Sequence, residues 1–178
     1  MSLRPTVSER DHIQGNKEAV IELVEYGDYQ CPHCGRAYPI VKRMQEELGD
    51  QLRFVFRNFP LTNIHPEATM AAVATEAAAL QNKYWEMHDI IFENQDQLAK
   101  DFLLDYAKAI DLNIKKFEKD LEDTALTEKV RADFESGIRS GVNATPTFFI
   151  NGEKYNNGWE GDRLLEYIKA NKISVLHY

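Results

Sequence analysis

The chain has 178 residues and carries 21 Lys and Arg against 29 Asp and Glu, for a formal net charge of −8. This length suits one domain, or one domain with a sizeable insertion, and a hydrophobic content of 43% excludes a disordered chain. The acidic balance argues against a duplex nucleic acid as partner, because phosphate neutralisation needs clustered Lys and Arg. No apolar run approaches the roughly 20 residues that span a bilayer.

The first 17 residues are polar and should be extended. Met1 to Val7 lack the basic start and apolar stretch of a secretory signal, so a cytoplasmic protein is expected, the alternative being a periplasmic or other extracytoplasmic one whose signal peptide has been removed. Val20 to Tyr26 is β-rich and almost continuously apolar, which suits a central strand covered on both faces. After a turn at residues 27–30 a helix should begin at the cysteines, with Pro32 in its first turn. Ala37, Val41, Met44 and Leu48 fall on one face of it, and Gly49 is its natural stop. Residues 51–58 alternate Leu52, Phe54 and Phe56 and read as a second strand. Strand, helix and strand in this order make a βαβ unit with parallel pairing. Residues 63–140 then read as successive helices. Their stripes are Met70, Val73, Ala74 and Ala77; Trp85, His88 and Phe92; Phe102, Tyr106 and Ile110; Ile114, Phe117 and Leu121; and Val130, Phe134 and Ile138. The chain returns to β at residues 147–150. Asn151-Gly152 signals a hairpin to residues 153–157, and an amphipathic helix closes the fold from Gly161. The expected organisation is therefore a sheet domain from residues 18–62 plus 141–171, a helical insertion at 63–140, an N-terminal segment at 1–17 and a tail at 172–178.

There are two cysteines, Cys31 and Cys34. They are too close for a structural staple, since a disulfide stabilises mainly by closing a long loop in the unfolded chain. In a reducing compartment such a pair is catalytic, redox-sensing or metal-binding. Its place at the start of a helix gives it a chemistry. The unpaired N–H groups and positive dipole end of the first turn favour a thiolate. Cys31, the first and more exposed, would attack or be attacked. Cys34, one turn further in, would resolve the mixed disulfide. His33, if protonated or donating, would further favour the thiolate. Zinc would need two more ligands, and His12, His65, His88 and His177 are not paired at ligand spacing. No metal and no cofactor beyond the cysteine pair is therefore expected. Two inert core cysteines are the other reading, disfavoured by a strand-then-helix context that exposes the first residue of the turn.

Cys31-Pro32-His33-Cys34 after a strand, the helical interruption, and Val142-Asn143-Ala144-Thr145-Pro146-Thr147-Phe148 before a hairpin together resemble the thioredoxin superfamily. Within it the chain is similar to the DsbA-like thiol:disulfide oxidoreductases, over about residues 18–169. The resemblance implies an α/β, thioredoxin-like fold: a central mixed sheet flanked by helices, with an inserted all-helical domain. It implies that Cys31 is the nucleophile, that Cys34 resolves, and that Pro146 is cis and faces the pair. Thr145 would then offer its backbone to an extended substrate and influence the redox properties. Glu25 lies at the offset where the superfamily buries an acid beneath the second cysteine to move its proton. A strand-end carboxylate with an ordinary partner is the alternative. Asp28 is expected in solvent. Tyr29, Tyr38, Phe59, Trp85 and Trp159 either line a peptide groove or, more commonly for such aromatics, belong to the core. The implied partners are a protein or small-molecule thiol or disulfide and a redox partner, with no membrane. A monomer is expected, because the dimerisation domain of isomerase-type relatives is absent. Two other readings stay open. One is an enzyme like the kappa-class glutathione transferases and related isomerases, which typically carry serine where this chain has Cys31. The other is a non-enzymatic chaperone or metal-binding module.

Overall fold

The computed structural model describes residues 1–175. A five-stranded mixed sheet has the order β1-β3-β2-β4-β5, with β1 Ile13–Gly15, β2 Ile21–Gly27, β3 Leu52–Asn58, β4 Thr147–Ile150 and β5 Glu153–Lys154. β2 and β3 are parallel and joined by α1, Pro32–Leu48. β4 lies antiparallel against β2 on its other side, pairing Tyr26 with Thr147 and Glu25 with Phe148. Between β3 and β4 run α2 Ala68–Ala79, α3 Tyr84–Phe92, α4 Lys100–Ala109, α5 Ile114–Asp120 and α6 Thr124–Arg139, and α7 Arg163–Val175 closes the fold. The expected tail at 172–178 begins inside α7; residues 176–178 and His177 lie outside the described residues.

The period-2 pleat sorts each strand onto two faces. Leu23 and Glu25 of β2, Phe54 and Phe56 of β3 and Phe148 of β4 turn toward α1 and the cysteines, and all except Glu25 join the larger core. Val24, Tyr26, Val55 and Phe149 turn the other way, into a smaller core closed by Leu3, Phe59 and Val142. α1 buries Cys34, Ala37, Val41, Met44 and Leu48, the stripe read from the sequence, and ends at Gly49 with φ +50°.

Four expectations need correction. The first 17 residues are part of the architecture, because residues 13–15 pair antiparallel with β3. Leu3 is buried, and its N–H donates to the Gly152 carbonyl at 2.8 Å. A three-residue strand with a single apolar side chain gives no periodicity to detect. Second, α2 buries nine of its twelve residues, not one stripe; its alanines are small enough for neighbours to pack on every side. Third, Phe102 and Ile138 of the expected stripes are exposed. Fourth, β5 has two residues where five were expected.

The second face also holds a buried ionic cluster that was not singled out beforehand. Arg57 of β3 donates to both carboxylate oxygens of Asp11, at 2.8 and 3.0 Å, and to the Tyr26 hydroxyl at 3.0 Å. Near the end of β3, Asp133 accepts from the Asn58 N–H at 3.1 Å and from Lys129 at 2.7 Å. Glu76 lies 2.8 Å from the His12 ring and 3.6 Å from the Lys129 ammonium.

Candidate active site

Cys31 is the N-cap of α1, with extended backbone, and Pro32 opens the helix. The Cys31 carbonyl accepts the Gly35 N–H at 3.1 Å, so the helix begins by turning around the cysteine pair. Both cysteines are free thiols. The structure corrects one expectation here: Cys31 is only 3% exposed, not open to solvent. The 145–146 loop covers it, with Cys31 Sγ 3.7 Å from the Thr145 carbonyl. The Thr145–Pro146 bond is cis. Thr145 is itself buried, and among the described residues its hydroxyl has no hydrogen-bond partner of ordinary geometry.

The two sulfurs are pulled in opposite directions. Cys31 is held down to about 5, chiefly because the Cys34 thiol donates to its thiolate. Burial opposes this, and the Thr145 side chain and the backbone N–H groups of Cys34 and His33 add to it. These N–H groups are the unpaired donors of a helix N-terminus, so the first turn does electrostatically what its position predicts. Cys34 is pushed well above the ordinary thiol value by burial, by its role as donor to Cys31 and by the nearby charge of Glu25. The N–H of Asp28 reaches Cys34 Sγ at 3.4 Å and offsets only part of this.

Glu25 sits on the cysteine side of β2 and is 2% exposed. Among the described residues its Oε1 is buried without a hydrogen-bond partner, and burial followed by the charge of Cys31 pushes its carboxyl up to about 8. The space it occupies depends on Gly27. A Cβ there would lie 2.4 Å from the Phe56 ring and 3.2 Å from Glu25 Oε1.

His33 is exposed, and its Nδ1 meets Arg36 Nη2. What reaches Cys31 from this residue is its backbone N–H. Arg36 also lies 6.0 Å over the Trp159 ring.

Asp28, expected in solvent, is 1% exposed. Its Oδ1 accepts from the N–H groups of Gln30 and Cys31 at 2.7 and 3.2 Å, and its Oδ2 from the Leu61 N–H and the His65 ring, both at 2.8 Å. It therefore ties the turn before the cysteines to the segment leading into α2. Sequence reasoning missed it because two of its partners lie more than thirty residues downstream. Tyr29 and Phe59 are core, while Tyr38, Trp85 and Trp159 are partly buried against it. The Tyr29 hydroxyl meets His88 Nδ1 at 2.8 Å. Among the described residues no group of three or more His, Cys, Asp or Glu is arranged to hold a metal ion, and no helix is long and apolar enough to cross a membrane.

A thioredoxin-like sheet with a paired-cysteine turn at the start of α1 defines the class: a protein of thioredoxin fold. The chain matches the family described as Thioredoxin over residues 7–170 and belongs to it. Among solved structures it is similar to a thioredoxin-like oxidoreductase from Silicibacter pomeroyi, with a TM-score of 0.82 at 24% identity, covering 93% of this chain and 94% of that one. It is also similar to BdbD from Bacillus subtilis in its oxidised form, with a TM-score of 0.78 at 25% identity, covering 90% and 92%. Among curated relatives it is 40% identical over 160 residues to the Na(+)/H(+) antiporter NhaA 3 of Salinispora tropica, covering 90% of this chain and 24% of that protein. It is 36% identical over 173 residues to the Na(+)/H(+) antiporter NhaA of Herminiimonas arsenicoxydans, covering 97% and 27%. The chain thus spans about a quarter of the length of these curated relatives.

Proposed function

We propose that this protein is a thiol–disulfide oxidoreductase that exchanges a Cys31–Cys34 dithiol or disulfide with protein or small-molecule thiols. The observation that carries the reading is the opposite poise of two sulfurs in one helical turn. The thiolate is the attacking species in exchange, and only Cys31 is held in that form near neutrality.

In the reducing direction, the Cys31 thiolate attacks one sulfur of a substrate disulfide, forms the mixed disulfide and expels the first substrate thiolate. Losing its charge removes one of the influences that raise Glu25. Glu25 then takes the Cys34 proton, directly or through water, and the Cys34 thiolate attacks Cys31 Sγ. The Cys31–Cys34 disulfide forms and the second substrate thiolate leaves. Two electrons pass from the cysteine pair to the substrate. The oxidising direction is the same sequence reversed, and a stabilised Cys31 thiolate favours it by making the dithiol the more stable form. In a cytoplasmic setting the couple would rest as the dithiol and act as a reductant. Its potential against glutathione decides between the directions. The Thr145 backbone beside Pro146 would pair with an extended substrate, which suits a protein disulfide. The antiporter names belong to the longer relatives, and we assign this chain the activity of the shared thioredoxin-fold segment.

Two measurements test the reading. Cys34→Ser should accumulate a covalent mixed disulfide with a disulfide-bonded protein substrate, and Cys31→Ser should accumulate none and lose all exchange. Alkylation of Cys31 should follow a single ionisation centred at about 5, against about 8.5 for a free thiol. A Cys31→Ser variant that exchanges disulfides at the wild-type rate would overturn the assignment.

A further inference from the structure

The turn that carries the cysteines is also held from outside the sheet. Gln95 lies in the α3–α4 connection, half-buried, more than sixty residues from Cys31 in sequence. Its Nε2 reaches two backbone carbonyls, those of Tyr29 and Cys31, each at 2.9 Å. Both partners can only accept, so the amide must present its NH2 to them and use both hydrogens. This fixes the orientation of Gln95. Its Oε1 then points at α1, where it packs against Gly35. A Cβ built on Gly35 would lie 1.9 Å from that oxygen and 2.7 Å from Gln95 Cδ. Gly35 sits in a helical turn with no backbone angle that demands glycine. Its missing side chain is explained by the space Gln95 takes.

From this we infer that Gln95 is a positioning residue for the exchange reaction: through the Tyr29 and Cys31 carbonyls it locks the N-cap of α1 to the helical segment, in the geometry that aims the first-turn N–H groups at Cys31 Sγ. The Cys31 carbonyl is shared between Gln95 and the Gly35 N–H, so the strut grips the first hydrogen bond of the helix. The positive end of the amide dipole also faces the peptide that bears the nucleophile, which favours negative charge on that residue. The inference rests on the oxidoreductase reading, since it concerns how well Cys31 serves as the attacking thiolate.

The test uses the full chain, with the thiolate of Cys31 titrated by its ultraviolet absorbance and the couple's potential measured against glutathione. Gln95→Leu removes both donors, and Gln95→Glu keeps the shape but sets an acceptor against two carbonyls. Each should lower the ionisation constant of Cys31 roughly three- to tenfold, the worth of a typical hydrogen bond, and make the couple more reducing. Gly35→Ala should do the same by displacing Gln95, although alanine is the better helix former. In a Gln95→Ala background the same Gly35→Ala change should have no further effect, because the obstructing amide is gone. If Gln95→Leu lowers the melting temperature but leaves ionisation constant and potential within twofold of wild type, Gln95 is only a packing residue and the inference fails. It also fails if the two sites prove additive. These titrations need no substrate, so loss of the oxidoreductase reading would show separately, as wild-type protein that titrates as described but exchanges no disulfide.

Discussion

Glu25 and Glu76 are both buried carboxylates, 2% and 4% exposed, yet they are held in opposite ways. Glu25 faces an apolar layer and two thiols with one oxygen unpartnered, and burial drives its carboxyl up to about 8. Glu76 lies in the ionic cluster at the end of β3. Burial pushes it up too, but the His12 hydrogen bond and the Lys129 charge outweigh that and hold it below its usual value. Burial therefore sets the cost of a charge, and the partner decides whether the charge survives. On the cysteine side the fold leaves Glu25 Oε1 without a hydrogen-bond partner among the described residues. At the end of β3 the carboxylates of the cluster each have a partner.

Three substitutions probe this contrast, from the largest expected effect to the smallest. Arg57→Met would leave the Asp11 carboxylate, 5% exposed, without its bidentate partner. Stranding a buried charge in this way costs about 3–5 kcal/mol, readable as a fall in the urea midpoint at pH 7. A loss under 1 kcal/mol would mean that Asp11 finds water instead. Glu25→Gln should act in the other direction. Relative to 4.5 in the unfolded chain, the folded carboxyl is raised to about 8, so the extra stability from its proton is complete below 4.5 and lost as the pH rises through 8. Glutamine does not titrate. The variant should therefore be more stable than wild type above pH 8, by roughly 1–3 kcal/mol, with the advantage shrinking toward pH 4.5. It should also slow the resolving step while leaving alkylation of Cys31 fast. Equal stability of variant and wild type at pH 9 would show that Glu25 has gained a partner there. Glu76→Gln has the opposite sign and a smaller size. A lowered carboxyl contributes stability that is present above 4.5 and lost as the pH falls through its folded value. Wild type should exceed the variant by roughly 1–2 kcal/mol at pH 7, with the gap closing below pH 4.5. A gap that widens in acid would refute the partnered account.

The same contrast explains what could be read from the sequence. α1 was legible in full because its signals are local: Pro32 in the first turn, apolar residues on one stripe, and Gly49 with φ +50° at the end. β2 and β3 were read to within one residue, because runs covered on both faces, or alternating in size, need no knowledge of what covers them. Cys31 and Cys34 were legible because a pair at a strand–helix junction carries its electrostatics with it. The remaining parts depend on distant partners. Asp28 reads as a turn carboxylate until the Leu61 N–H and His65 are seen to reach it. Cys31 reads as open until the Thr145 carbonyl covers it. Arg57, Lys129 and Glu76 carry no local signal, because nothing near them in sequence shows that a helix from one end of the insertion and the segment before β1 close over them. Gln95 carries no local signal at all. Gly35 was the one available hint, a glycine in a helical first turn without a conformational reason for being there.

The arrangement of β2 and β4 has a consequence in time. The cysteine turn follows β2, while the loop that covers it precedes β4, and the two strands pair directly, Tyr26 against Thr147. In a chain emerging from the ribosome at about 5–20 residues per second, the interval between Cys34 and Pro146 lasts roughly five to twenty seconds. Throughout it Cys31 lacks the Thr145 contact, although Cys34 and the first-turn N–H groups are already in the chain. The cover over Cys31 is thus among the last parts of the site to form, when β4 pairs with β2.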